Sequence, residues 1–438
     1  MRTAIRFMLT ATLVALSLSA FSKRIKLEVT PSQQVLPSDK TQTVYLKIGL
    51  TGFTLDKRHQ RPAANIAIVL DRSGSMRGVK ILRAKDAAIM ALDTLSHRDI
   101  ASVITYSDGV EVIQPAARIS NKPALFAAIR NIYTSGSTAL FAGVSKGADE
   151  IRRFFDENKI NRVILLSDGQ ANVGPRTPHE LGELGQALAR EGISVTTIGL
   201  GLGYNEDLMT ELAARSGGNH AFVESPEQLA RIFQSEFSDL MSVVGQDARL
   251  RIQVQPGVRP VRVLGRKARI HGQQIDVTIN QIHSKQQKYV IVELEVPATG
   301  HDRTLPLATV SASYKNAVSK TRETLSDKVA VRFDNSAERA KKSVNNKVMS
   351  AATELIAIKK RALAIKLRDQ GRAFEAQKVL RRNSIWLKSK AKQYKSKRLQ
   401  QFGGLQEKEA QRVMGPEWNK ARKQMRKDNY KRSRQQSY

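Results

Sequence analysis

At 438 residues the chain is longer than one ordinary domain, and its composition is globular over most of that length. The absence of cysteine excludes disulfides, thiol catalysis, zinc–thiolate centres and a lipidated cysteine. The formal charge of +32 is unevenly placed: basic and acidic residues nearly cancel between residues 63 and 244, whereas the last hundred or so carry an excess of roughly 20 positive charges, so the basic character belongs to the tail.

The amino terminus reads MRTAIRFMLTATLVALSLSAFSKR. Arg2 and Arg6 precede an apolar run and then small residues, with Ala20 and Ser22 placed for cleavage before Lys23. This order predicts a secretory signal over residues 1–22 and a periplasmic or secreted protein. Its core is too short for a comfortable membrane span, and an uncleaved anchor is the alternative.

Residues 23–61 alternate as strands, with Val44, Leu46, Ile48 and Leu50 on one face. Over residues 62–244 the rhythm becomes strand and helix in turn, which predicts a doubly wound, mostly parallel α/β sheet covered on both faces. From 245 to 335 the period returns to two, as in Leu250, Ile252 and Val254 or Val290, Val292, Leu294 and Val296, the pattern of an antiparallel β-sandwich. The early strands are expected to complete that later sheet, making the α/β unit an insertion in the sandwich; two independent β pieces are the alternative. Residues 336–400 read as a helical hairpin resembling a single tetratricopeptide unit, with apolar steps at Val348, Ala352, Leu355 and Ile358, a DQGR turn, then Ala376, Leu380 and Leu387. Residues 401–438, rich in Lys, Arg and Gln, are expected to be a disordered basic tail.

Chemistry concentrates in the stretch NIAIVLDRSGSMRG, residues 65–78. A nearly continuous apolar run predicts a strand buried on both faces, and Asp71 stands at its carboxyl end. Ser73, Gly74 and Ser75 follow in a tight loop before a helix, so Asp71, Ser73 and Ser75 gather oxygens at the edge where open α/β sheets bind ligands. Hard oxygen donors without His or Cys suit Mg²⁺, Mn²⁺ or Ca²⁺ better than zinc.

With GST at Thr138 and LLSDG at Asp168, the stretch DRSGS resembles the metal-ion-dependent adhesion site of a von Willebrand factor type A domain. The order and contexts agree: a strand end, a loop before a helix and a second buried strand end. The resemblance covers less than half of the chain. It implies that Asp71, Ser73, Ser75, Thr138 and Asp168 hold a divalent cation, Mg²⁺ first, and that a Glu or Asp of a protein partner completes its coordination. Ser135 and Ser137 compete with Thr138 for its role, and Asp108 reads as a turn former.

Other signals are weaker. Gly199, Gly201 and Gly203 begin like a dinucleotide loop, but Tyr204 stands where the pattern needs glycine. There is no HExxH pair, and no nucleophile, base and orienting group stand in a recognisable catalytic arrangement. The expectation is therefore a non-enzymatic, metal-dependent binding protein of the cell envelope. One alternative is a polyanion- or membrane-surface-binding structural protein acting through its basic carboxyl-terminal region, where Lys and Arg interleave with Tyr394, Trp418 and Tyr430; nucleic acid is not the expected polyanion in that compartment. The other is a metal-dependent hydrolase using the same oxygens to activate water.

Overall fold

The strand that carries Asp71 is the middle of the architecture. In the computed structural model, which describes residues 24–55 and 61–437, β4 (Ala64–Asp71) is buried along its whole length. Ala64, Ile66, Ile68 and Leu70 point into one core, Ala67 and Val69 into the other. A strand buried on both faces needs cover on both, and its near-continuous apolar sequence is the consequence. The signal expected over residues 1–22 lies outside the described residues.

Around β4 the sheet has the order β6-β5-β4-β7-β8-β9, with β5 (Ile100–Tyr106), β6 (Val110–Arg118), β7 (Ile160–Ser167), β8 (Ser194–Leu200) and β9 (His220–Val223). All neighbours are parallel except β5 and β6. Helices α1 (Val79–Asp93), α2 (Lys122–Arg130) and α6 (Leu229–Met241) cover one face, and α3 (Leu140–Arg152), α4 (Pro178–Arg190) and α5 (Glu206–Ser216) the other. This is the doubly wound unit expected from the sequence.

The unit interrupts a sandwich. Before it come β1 (Lys26–Pro31), β2 (Val35–Pro37) and β3 (Gln42–Thr51); after it come β10 (Val243–Val254), β11 (Arg259–Leu264), β12 (Arg269–His271), β13 (Gln274–His283), β14 (Gln287–Val296), β15 (Thr304–Asn316) and β16 (Arg322–Asp334). The two sheets have the orders β1-β3-β14-β11 and β12-β13-β10-β15-β16-β2. β3 pairs with β14 over ten residues, from Gln42 opposite Val296 to Thr51 opposite Gln287, so the strands before the insertion are sheet partners of those after it. Val44, Leu46, Ile48 and Leu50 face Leu250, Ile252 and Val254 of the opposite sheet in one apolar core.

The other face of β14 turns outward. Tyr289 and Ile291 pack with Leu264 against α8 (Asn346–Asp369), α9 (Ala373–Gln393) and α10 (Lys397–Arg412), which follow the short α7 (Ala337–Lys342). Here the expected disordered tail is corrected: residues 401–438 complete α10 and form α11 (Trp418–Arg434), both packed. Leu399 and Phe402 enter one apolar cluster and Ala410, Val413 and Met425 another. Composition misleads here because much of the charge is satisfied internally. Arg361, fully buried, bonds Glu409, and Arg422 bonds Glu206, Asp207 and Asp369. The helical hairpin of 336–400 is thus the first half of a larger helical layer. No helix among the described residues is long and apolar enough to cross a membrane.

Candidate metal centre

Asp71 ends β4 fully buried, and three donors hold its carboxylate. The Ser73 backbone N–H donates to Oδ1 at 2.9 Å, Ser167 Oγ donates to Oδ2 at 2.7 Å, and the Tyr106 hydroxyl lies 3.4 Å from Oδ2. Burial pushes the Asp71 carboxyl above its ordinary range, the bonds from Ser73 and Ser167 oppose that, and repulsion from Asp168 adds to it. Burial, with the Asp71 charge, also lifts Tyr106 far above the ordinary phenol range, so it stays a protonated donor.

Ser73 precedes and Ser75 lies within a single 3₁₀ turn, Gly74–Met76, and their hydroxyl oxygens are 3.0 Å apart. Ser75 Oγ donates to Asp168 Oδ1 at 2.6 Å. The Lys80 ammonium, from the first turn of α1, bonds Asp168 Oδ2 and donates to the Ser75 carbonyl at 3.2 Å. The loop bearing Thr138 is zipped to this turn: Gly74 N–H donates to Gly136 O at 3.0 Å and Ser135 N–H to Arg72 O at 2.8 Å. Thr138 N–H donates to Asn172 Oδ1 at 2.8 Å, tying the same loop to the segment after Asp168. A Cβ on Gly169 would lie 3.2 Å from Thr138 Oγ1 and 3.4 Å from Ser75 Oγ, so these two hydroxyls and Asp168 surround one point. All five predicted residues therefore meet at the carboxyl edge of the sheet.

Ser135 instead accepts from Arg72 Nη1 at 2.8 Å. Ser137 gives its backbone N–H to Asp108 Oδ1 at 2.8 Å, which lowers the Asp108 carboxyl below its usual range. Asp108 is thus a loop brace; a side chain at Gly136, where φ is +72°, would strike its Oδ2 at 2.1 Å. Ser167, Tyr106, Asn172 and Lys80 are the neighbours that motif reading missed. Of these, Ser167 was visible as the residue before Asp168 at the end of a buried strand.

The donor set fits a hard divalent ion. It is three neutral hydroxyls and two carboxylates, all oxygen, and among the described residues no three His, Cys, Asp or Glu side chains cluster in a metal-holding group. Asp71 and Asp168 would supply the charge, and Ser73, Ser75 and Thr138 the neutral donors.

Residues 65–235 match the family model of the von Willebrand factor type A domain, and the chain carries such a domain there. Domains of this type commonly serve as metal-dependent protein-interaction modules. Over 216 residues the chain is 27% identical to the uncharacterized protein YfbK of Escherichia coli, covering 49% of this chain and 38% of that protein. Over 166 residues it is 28% identical to the inter-alpha-trypsin inhibitor heavy chain H3 of Rattus norvegicus, covering 36% and 18%. The chain thus spans well under half the length of both. A solved von Willebrand factor type A structure from Catenulispora acidiphila aligns over 87% of this chain and 90% of its own, with a TM-score of 0.68 at 17% identity. The ArnB paralog VWA2 from Sulfolobus acidocaldarius aligns over 94% and 99%, with a TM-score of 0.62 at 17% identity. At that identity the likeness is one of fold, and it extends beyond the type A domain.

Proposed function

We propose that this chain is a non-enzymatic binding protein of the cell envelope, periplasmic or secreted, that holds a protein partner through its type A domain. The observation that carries the reading is the convergence of Asp71, Ser73, Ser75, Thr138 and Asp168 at one sheet edge. A divalent cation there, Mg²⁺ first and Mn²⁺ or Ca²⁺ next, would lend an electrophilic point to which a carboxylate binds. The side chains of this chain do the rest. Asp71 and Asp168 carry two negative charges and the Lys80 ammonium bonded to Asp168 offsets one of them, so the site balances only part of a +2 charge and leaves the remainder for an Asp or Glu of the partner. Ser73 N–H, Ser167 and Tyr106 fix the Asp71 carboxylate, so no rearrangement of that group is needed on binding.

The test is capture from envelope extract on immobilised protein with Mg²⁺, repeated with EDTA and with Asp71→Ala. Capture of the same protein species under all three conditions would reject the metal-bridged mechanism. The alternative in which the basic carboxyl-terminal region is the active part is weakened by the internal pairing of Arg361, Arg422 and Lys423.

A further inference from the structure

Not all of the tail's charge is spent internally. A cavity of about 950 Å³ opens between the outward face of the sandwich and helices α8, α10 and α11. Six positive side chains line it, Lys47, Lys347, Lys395, Arg398, Lys431 and Arg432, against two carboxylates, Glu354 and Asp428, an excess of four charges. Glu354 is buried and already occupied: Arg398 Nε lies 2.8 Å from its Oε2 and Arg432 Nη1 2.7 Å from its Oε1. Asp428 leans toward Arg361, 3.7 Å away. Lys347, Lys395 and Lys431 form no ion pair among the described residues. Lys47 bonds only the neutral Gln287 amide oxygen, at 2.7 Å, with its ammonium 4.7 Å from the centre of the Tyr289 ring.

We infer that this cavity is a binding site for a small molecule bearing two or more phosphate groups. Four reasons converge. Its volume is that of a small-molecule pocket, and it lies at a junction between layers, where such sites concentrate. Like charges gathered around one cavity repel each other unless an anion joins them, and burial with the charges of Lys347 and Arg398 already pushes Lys47 below its ordinary range, against the opposing pull of Glu28. The cations left unpaired are lysines, compact point charges suited to phosphate oxygens, while both lining arginines, whose planar fork matches carboxylates, are committed to Glu354. The first turns of α8 and α10 contribute Asn346, Lys347, Ser396 and Arg398 to the lining, adding the positive ends of two helices to the same field.

The test is calorimetric titration of the full chain with inorganic tripolyphosphate in metal-free buffer, beside citrate and a hexaglutamate peptide. Tripolyphosphate is expected to bind at least tenfold more tightly than either carboxylate ligand, and its affinity to fall at least tenfold in Lys347→Ala/Lys431→Ala. Lys395→Gln, a single change at an exposed loop residue, is the second variant and is expected to weaken binding severalfold. Asp71→Asn should bind tripolyphosphate as the parent does, which separates this site from the metal centre. Failure to saturate at millimolar tripolyphosphate, equal affinity for citrate or hexaglutamate, or an unchanged affinity in the lysine variants would each overturn the assignment.

Discussion

Asp71→Asn separates what Asp71 does for the fold from what it does for a metal. In the metal-free protein its buried carboxylate is a liability: burial and the Asp168 charge both push its pKa up. An asparagine keeps an oxygen for the Ser73 N–H and places an amide against Ser167 Oγ, a hydroxyl able to accept as well as donate. The substitution removes one buried charge and the repulsion with Asp168, so the metal-free variant should melt within about 2 °C of the parent or above it. With metal the sign reverses. A ligand at a hundred times its Kd stabilises by about 2.7 kcal/mol, and each kcal/mol moves the melting point of a unit of 150–250 residues by about 2–4 °C. Saturating Mn²⁺ should therefore raise the parent's transition by about 5–11 °C and leave the variant's nearly unmoved. Differential scanning fluorimetry over a Mn²⁺ series, with EDTA controls, reads both numbers. A variant that keeps the full metal-induced shift, or that melts far below the parent without metal, would refute the reasoning.

Three further outcomes follow from the same geometry. Lys80 competes with a cation for Asp168, and its side chain is about one-third exposed (36%), so Lys80→Gln should tighten Mn²⁺ binding by about two- to fivefold in calorimetry, the scale of a partly exposed ion pair; weaker binding would mean that Lys80 supports the site. Burial lowers both His220 and His283 to about 3, so both stay neutral in the fold while the unfolded chain takes up their protons below about pH 6.5. Their contribution to stability is complete above that pH and is lost as pH falls toward 3, with a combined slope of up to about 2.7 kcal/mol per pH unit; urea midpoints at pH 7, 6, 5 and 4 should fall progressively, less steeply in His220→Phe. Arg361→Met strands the buried Glu409 carboxylate and should destabilise the helical layer by about 3–5 kcal/mol, whereas Arg361→Met/Glu409→Leu should recover most of that loss in denaturant titration.

What could be read from the sequence was what repeats or what punctuates. β4 and β7 were legible because both faces are buried and their apolar runs end abruptly at Asp71 and Asp168. β14 was legible from Val290, Val292, Leu294 and Val296. β15 was missed although it is thirteen residues long, because its inward positions alternate through Ala308, Val310, Ala312 and Tyr314, and alanine carries little hydrophobic signal. The packing of residues 401–437 was hidden for another reason. Its cations find their acids far away in sequence, Arg422 at Glu206 and Lys423 at the same carboxylate, and no local pattern announces such partners. In the candidate site the five side chains that converge at the sheet edge were legible as motifs at strand ends and before a helix. The bonds that orient them, from Ser167 to Asp71 and from Lys80 to Asp168, depend on which strands lie side by side, and become visible only once β4 is paired with β7.

The way the type A domain is mounted leaves the sheet edge that bears the five oxygens open to the partner proposed above. Its contacts with the sandwich lie where the parallel strands begin: buried Arg162 at the start of β7 bonds Glu236 and reaches Gln281 of β13, Gln246 donates to the Lys159 carbonyl at 3.3 Å, and Lys315 pairs with Glu157 at 2.8 Å. Asp71 stands at the opposite end of an eight-residue strand, about 23 Å away along its axis. The edge bearing the five oxygens is thereby turned away from the mount. Helix α11 reaches back toward it. Lys423 lies 4.4 Å from the centre of the Tyr204 ring and donates to the Tyr204 carbonyl at 2.6 Å, while Arg422 and Lys423 together neutralise Glu206. The loop so fixed backs directly onto Asp168: Gln170 donates to the Gly203 carbonyl at 2.5 Å, and a side chain at Gly203 would meet the Asp168 carbonyl at 2.7 Å. Arg422 and Lys423 therefore hold the loop behind Asp168 in place, and these two charges are consumed in the act.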